Sequence, residues 1–216
     1  TPKFGWTNTN LVGPIRSMLG SPVAFDTDVN ASALAEHRWG AAQGLNNFIY
    51  LTVGTGIGGG GFVNGGLVHG LTHPEMGHIQ IPHDRNADPY KGSCRFHGDC
   101  FEGLACGTAI SKRWNESPEN LPTNHPAWAM EGKYIALGVA SLIYAYSPQR
   151  VIIGGGVMKQ KHLLDIVRKN VLDILGGYNQ SPMILDDIEG FIVSPGLGDF
   201  SGVLGAIALA QDTMVK

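Results

Sequence analysis

A mixed α/β fold is predicted by three observations on the sequence. Short runs of β-branched and aromatic residues at 48–53 and 151–153 alternate with apolar patterns of helical period. Both runs end in glycine clusters, at 54–61 and 154–156, where turns or close backbone approaches are expected. At 216 residues with 43% hydrophobic content, the chain can bury a substantial core, as one large domain or as two lobes sharing a cleft.

Residues 1–10 (TPKFGWTNTN) read as a loop with an aromatic anchor. Residues 11–19 carry a short helical pattern, and 22–25 a brief apolar strand running into Asp26-Thr27-Asp28. A helix is expected over 30–40, with Asn30 as its N-cap and Ala31, Leu34 and Ala35 on one face. The strand at 48–53 stops at the glycine run. A second strand, Phe62-Val63, turns through Asn64-Gly65-Gly66 into Leu67-Val68, which is hairpin turn chemistry. Residues 69–103 are rich in His, Cys, Asp and Gly and too long for an idle connection; loops of this length are usually functional. From Phe101 helices dominate, with a polar, Pro-containing interruption at 115–125 and an apolar helix over 128–146. The strand at 151–153 is followed by a helix around 162–175, a strand at 190–193, a Pro-Gly turn at 195–199 and a small-residue helix over 201–211.

Several classes of function are excluded by composition. Lys+Arg 15 against Asp+Glu 18 gives a net charge of -3 with no run of like charge, so there is no broad electrostatic footprint for nucleic acid and a small-molecule partner is favoured. The longest apolar stretch, 135–146, is shorter than the roughly 20 residues that span a bilayer. Three cysteines are an odd count, and Cys94 and Cys100 fall in a short His-containing cluster, which fits metal ligation in a reducing compartment better than a disulfide framework.

Gly54, Gly56 and Gly59 satisfy the spacing of a dinucleotide fingerprint, with Glu75 at about the distance of a ribose carboxylate. That fingerprint requires a helix after the glycines, and here a hairpin follows; no Gly-Lys-Ser/Thr follows either, which excludes a Walker A loop. What remains is a strand–glycine–strand turn whose backbone N–H groups can form an anion nest, with Thr55 adding a hydroxyl, or a turn and nothing more. Gly154-Gly155-Gly156 admits close approach to a nucleotide, and equally tight strand-to-helix packing.

Phosphoryl transfer to a hydroxyl needs a carboxylate that orients the oxygen and takes its proton. Asp28 lies between a strand and a helix, at the kind of strand-end crevice where α/β ligands collect; Asp26 is its nearest competitor, and either could instead serve only as a turn or cap residue. Cys94-x-x-His97-x-x-Cys100 supplies three zinc-type ligands within seven residues. For the fourth, His69, His73, His78 and His83 lie upstream and Cys106 downstream. Chemical economy favours His78, whose second ring nitrogen can serve a substrate hydroxyl, with His83 the alternative and Cys106 read as a core residue. Glu75 and Glu102 bracket the cluster and could accept hydrogen bonds from sugar hydroxyls, or be exposed acids.

Together, Phe25-Asp26-Thr27-Asp28-Val29-Asn30, the run 52–60, His73-Pro74-Glu75-Met76-Gly77-His78 and the segment 94–102 resemble the ROK family of sugar kinases and repressors, and are close to its bacterial zinc-containing fructokinase branch. The resemblance covers essentially the whole chain, including Thr1-Pro2-Lys3-Phe4-Gly5-Trp6 and 152–158, with four motifs in order. It implies an actin-like (ribonuclease H-like) two-lobed α/β fold: 1–27 as the remainder of a small lobe, 28–197 as a large lobe with zinc loop and cleft, and 198–216 as a helix packing back on the small lobe. The family's opening Asp-x-Gly-Gly-Thr phosphate segment has no counterpart and is expected upstream of Thr1.

The implied activity is ATP-dependent phosphorylation of a hexose, D-fructose to fructose 6-phosphate. The resemblance assigns Asp28 as catalytic base, and Glu75, His78, Glu102 and Asn30 as sugar ligands. Thr55, Gly56, Gly58, Gly154 and Gly155 become nucleotide contacts, and His78, Cys94, His97 and Cys100 the zinc set. ATP, Mg2+ and Zn2+ are the implied cofactors, the hexose and the nucleotide the partners, and a cytoplasmic homodimer without nucleic-acid or membrane partners the expected state. Thr27 stands where the wider family commonly has asparagine, and His97 in a run usually richer in cysteine; both fit the fructokinase branch. The alternatives are a sugar-responsive repressor with a helix-turn-helix upstream, and a kinase for glucose, mannose or an N-acetylhexosamine. Retention of Asp28 and the near-neutral charge favour the kinase.

Overall fold

A computed structural model of the protein describes residues 5–214. The expected part of Thr1, Pro2, Lys3 and Phe4 in the opening motif lies outside these residues. The chain begins with α1 (Val12–Leu19) and α2 (Asp28–Trp39), then forms β1 (Phe48–Val53), β2 (Ile57–Val63) and β3 (Gly66–Leu67). After the long polar segment come α3 (Phe101–Ala105), α4 (Gly107–Trp114), α5 (Pro126–Tyr146), β4 (Arg150–Gly154) and α6 (Lys161–Leu175). Two short helices, α7 (Pro182–Leu185) and α8 (Ile188–Phe191), lead to β5 (Ile192–Val193) and the final α9 (Ser201–Met214).

The strands form one five-stranded sheet in the order β3-β2-β1-β4-β5. The hairpin strands run antiparallel, while β1, β4 and β5 are mutually parallel, so the carboxyl ends of the last three share one edge. Side chains alternate across a strand, and the two faces therefore bury different sets of residues. Ile49, Leu51, Val53, Val151 and Ile153 face a large core built with Phe101, Leu104, Ile135 and Val167 from the central helices. Phe48, Tyr50 and Ile152 face the other way, onto Val29, Ala33 and Leu34 of α2 and Ala208 of α9.

Helix α9 lies along α2, and the junction is secured by a buried carboxylate. Glu36 accepts from the backbone N–H groups of Ala41, Gly196 and Leu197 and from Ser201 Oγ, at 2.7 to 3.1 Å. A buried carboxylate met by four donors is fully compensated for its lost hydration.

Four local expectations are corrected by the structure. Residues 22–25 form no strand; Phe25 is exposed, so there is no burial to hold an extended pair there. Helix α2 starts at Asp28 with Thr27 as its N-cap, Thr27 Oγ1 accepting from Asn30 N at 3.1 Å, so Asn30 is the third helical residue rather than the cap. Phe191 closes a helical turn begun by Asp187, and only Ile192–Val193 of the expected 190–193 strand is extended.

The glycine run is the fourth. The turn is confined to 54–56, and Gly58, Gly59, Gly60 and Gly61 belong to strand β2. A Cβ at Gly60 would stand 2.8 Å from Val29 O, and one at Gly59 would stand 2.6 Å from Met76 Sδ. These glycines let the start of α2 and the 3-10 turn Met76–His78 lie directly on the two faces of one strand. The β2–β3 hairpin turns through Asn64 (φ 52) and Gly65 (φ 79), the left-handed pair that the Asn-Gly dipeptide predicts.

Candidate active site and metal centre

The parallel edge brings the two glycine turns together. Thr52 of β1 pairs with Gly154 of β4, so the turns at 54–56 and 154–156 leave the sheet side by side, where ligands of open α/β sheets bind. The first turn is braced from outside. Gly54 O accepts from Gly107 N at 2.7 Å, Thr55 O accepts from Thr108 Oγ1 at 2.7 Å, and Glu102 Oε2 accepts from Ile57 N at 3.0 Å. Thr55 itself is exposed. A Cβ at Gly56 would stand 2.6 Å from Glu102 Oε2, so glycine is needed there for the carboxylate to reach the turn.

Gly58 lies inside β2 beneath Val29, which removes it from the turn and makes it a support for α2. At Gly155, φ is 100° and the backbone presses against Val53, so the chain's own packing demands glycine there; Gly154 faces Pro195 and the Tyr50 hydroxyl.

Asp28 opens α2 on the exposed side of a cleft of 1130 Å³ whose wall also includes Trp6, Asp26, His69, His73 and Glu75. Its Oδ1 accepts from Val29 N at 3.0 Å, and its Oδ2 has no partner among the described residues. A helix N-terminus favours negative charge at this position. Glu75 is exposed and its Oε1 meets His73 Nε2 at 2.9 Å. Asn30, expected to touch sugar, is fully buried and not among the residues lining the cleft; its Nδ2 donates to Asp26 Oδ1 at 2.7 Å and lies 3.4 Å from His69 Nε2, and its Oδ1 has no partner among the described residues. Sequence reasoning set Asp26 against Asp28 as a rival base; its enclosure by Thr27 N, Asn30 Nδ2 and His69 Nε2 makes it a support instead.

Four metal-type ligands converge in the long polar segment between β3 and α3. The donor atoms of His78, Cys94, His97 and Cys100 all lie within 4.8 Å of one another, the one such group among the described residues. His78 Nδ1 is 3.8 Å from Cys94 Sγ and 3.7 Å from Cys100 Sγ, and Cys94 Sγ is 3.7 Å from His97 Nδ1. Tetrahedral zinc with ordinary Zn–S and Zn–N bonds sets such edges at about 3.5 Å, so the donor set fits that metal. Burial pushes the Cys100 thiol up to about 11, a cost that a bound cation removes by stabilising the thiolate. The local backbone is shaped to suit: Cys94 and Gly98 exchange both backbone hydrogen bonds, Gly98 taking φ 68.

His83, the alternative fourth ligand, has both ring nitrogens committed, Nδ1 to Asp99 Oδ2 and Nε2 to Asp88 O, each at 2.9 Å. It belongs to a clasp that sequence reasoning missed. Asp88 Oδ2 accepts from Tyr134 Oη at 2.7 Å and meets Arg113 at 3.1 Å, while its Oδ1 accepts from Tyr90 N and Arg113 Nε. Hydrogen bonds from His83 and then Arg85 hold the Asp99 carboxyl down at about 2. The partners lie 25 and 46 residues from Asp88, and nothing in the local pattern marks them. Cys106 is buried beside Ser93 Oγ at 3.6 Å and stands outside the metal group.

Comparison with known proteins matches this geometry to a family. The ROK family profile matches residues 1–213. The chain is 45% identical to a fructokinase of Zymomonas mobilis over 213 residues, which is 97% of this chain and 69% of the relative. Among solved structures, a ROK hexokinase from Thermus thermophilus superimposes with a TM-score of 0.76 at 28% identity, over 93% of this chain and 69% of the other. A ROK family glucokinase from Streptomyces griseus, solved in complex with glucose and AMPPNP, gives 0.71 at 28% identity over 92% and 71%. No helix among the described residues is long and apolar enough to cross a membrane.

Proposed function

The chain belongs to the ROK family, and from that premise we propose that it is an ATP-dependent sugar kinase of actin-like fold that converts D-fructose to fructose 6-phosphate with Asp28 as general base. The observation that carries this reading is the half-free carboxylate of Asp28. Its Oδ1 is fixed by Val29 N while Oδ2 faces the cleft unpartnered, which is how a base is held without being spent.

In this reading Asp28 Oδ2 accepts the proton of the sugar hydroxyl as that oxygen bonds to the γ-phosphorus of ATP, and the bridging P–O bond breaks to release ADP. The sugar is oriented by Glu75, by His78 Nε2, which faces away from the sulfurs, and by the Glu102 oxygen not engaged by Ile57 N. Thr55 and Gly56 from one turn and Gly154 and Gly155 from the other receive the nucleotide. Magnesium, arriving with ATP, neutralises phosphate charge when bound. Zinc on His78, Cys94, His97 and Cys100 supplies a fixed cross-link when bound, which would hold His78 and the start of α3, with Glu102, against the hairpin. Supporting the reading are the convergence of four ligands and the direct bond from Glu102 to the glycine turn. The homodimeric, cytoplasmic state, and the lobes at 1–27, 28–197 and 198–216, belong to the same proposal.

The test is ADP release by the purified protein against a panel of hexoses, with sugar binding measured in parallel. Fructose is expected to support turnover above glucose, mannose and N-acetylhexosamines. Asp28→Asn is expected to lower turnover by roughly 100- to 10,000-fold while sugar binding survives. Binding without ADP release from any hexose would point to the repressor alternative, and substantial turnover by Asp28→Asn would overturn the base assignment.

A further inference from the structure

Neither proton transfer nor the metal centre accounts for His69. It leaves the hairpin just after β3, 43 residues from Asp26 in sequence, and its Nε2 meets Asp26 Oδ2 at 2.8 Å across the mouth of the cleft. Asp26 is the anchor of this contact. Its side chain is 9% exposed, and its other oxygen accepts from Thr27 N and Asn30 Nδ2, both at 2.7 Å. Asn30 is in turn fully buried under Gly60, so the anchor cannot swing. His69, by contrast, is 53% exposed, lines the same cleft as Asp28 and Glu75, and its Nδ1 has no partner among the described residues.

Chemistry then sets the direction of each bond. Nε2 faces two groups, the Asp26 carboxylate at 2.8 Å and the Asn30 amide nitrogen at 3.4 Å; the carboxylate is the nearer and can only accept, so the His69 proton sits on Nε2, and in the neutral ring Nδ1 carries a lone pair. That lone pair is an acceptor, on a ring whose orientation is set by its bond to Asp26. The hydroxyls of a sugar are donors that need such acceptors, and a site built to bond a particular hydroxyl discriminates strongly against analogues lacking it.

We propose that His69, fixed by Asp26, is a hexose-binding residue whose Nδ1 accepts a hydrogen bond from a sugar hydroxyl other than the one Asp28 deprotonates. The inference rests on the sugar-kinase reading above and adds a specificity-determining contact to it. It also gives the buried Asp26–Asn30 pair a purpose: a purely structural tie between hairpin and helix would not need a histidine with one nitrogen left open, since an amide side chain would hold Asp26 as well.

That last point supplies the test. In His69→Gln the amide nitrogen can still donate to Asp26 while nothing replaces the Nδ1 acceptor. Wild type and His69→Gln would be titrated with D-fructose and with deoxy analogues lacking one hydroxyl each, followed by tryptophan fluorescence, since Trp6 lines the cleft. ADP release would give KM and kcat for the same set. His69→Gln is expected to melt at the wild-type temperature and to bind fructose roughly 3- to 12-fold more weakly, the range for one neutral hydrogen bond, with the loss in KM rather than kcat. One deoxy analogue should bind wild type and variant equally, identifying the hydroxyl. A variant that binds fructose as wild type does, or that loses the same factor with every analogue, overturns the assignment of His69. A wild type that binds no hexose overturns the sugar-kinase reading itself.

Discussion

The metal loop and the lip of the cleft use the same residue types, yet they treat them in opposite ways. In the loop the Asp88 clasp is satisfied from within: Asp88 is met by Arg113, Tyr134 Oη and Tyr90 N, and His83 spends both nitrogens on Asp99 and Asp88. At the lip two groups are half satisfied. Asp28 keeps one oxygen open and His69 one nitrogen, while the other atom of each is tied to the protein. A group tied at both ends is a strut; one tied at one end is aimed at something else. The contrast separates His83 from His69, which composition and spacing cannot do.

The largest effect expected from breaking this contrast is loss of the metal. Structural zinc contributes folding free energy on the order of 10 kcal/mol in small domains, although here the sheet core has its own support. Cys94→Ser is therefore expected to reduce bound zinc from one equivalent to near none, and to make the 83–99 segment sensitive to protease while the sheet and α5 stay protected from hydrogen exchange. Full retention of zinc would remove Cys94 from the ligand set. Unfolding of the whole chain would show that the loop is not a separable strut.

A smaller effect is expected at Asp88. Asp88→Ala leaves Arg113 buried without its carboxylate and frees the Tyr134 hydroxyl, while His83 keeps the Asp88 carbonyl, and breaking a buried pair in this way costs about 3–5 kcal/mol. Denaturant melts should show that loss, while the affinity of the folded protein for fructose stays within a few-fold. A selective loss of sugar affinity with unchanged stability would mean that the clasp belongs to the cleft after all.

How much of this was legible in the sequence follows from how local each signal is. The metal-type residues Cys94, His97 and Cys100 sit at fixed short spacing, and the Asn64-Gly65 turn is set by its own backbone, so their grouping and the turn could be read directly. The strand at Phe48–Val53 and the helix Pro126–Tyr146 announce themselves by apolar run and length. The glycine run misled because its glycines answer to Val29 and Met76, packed from elsewhere, rather than to a loop. For the same reason the burial of Asn30, read as an N-cap and a sugar ligand, and the Glu36 and Asp88 networks were invisible: their partners are brought in by the sheet and helix packing, not by the neighbouring sequence.

Glu131 marks the limit of the rule that an open polar atom is aimed at a ligand. Both its oxygens lack partners, but the residue is 1% exposed and buried in α5, outside the lining of the cleft. Desolvation by burial, eased slightly by Arg113, pushes its carboxyl from an ordinary 4.5 to about 8. The folded state thus keeps a proton that the unfolded chain gives up, and stability falls as pH rises from about 4.5 through 8, by up to about 1.4 kcal/mol per unit. Below that window the folded and unfolded chains are both protonated at this site and the penalty vanishes. Glu131→Gln, which cannot ionise, is expected to match wild type in thermal melts near pH 4.5 and to exceed it by about 1–3 kcal/mol at pH 7, or several degrees in a chain of this size. Fructose turnover should be unchanged at both pH values. A Glu131→Gln variant that is no more stable at pH 7, or that loses activity, would mean that this carboxylate has a partner or a task of its own, and the distinction between strut and aimed group would then have to be drawn in the core as well.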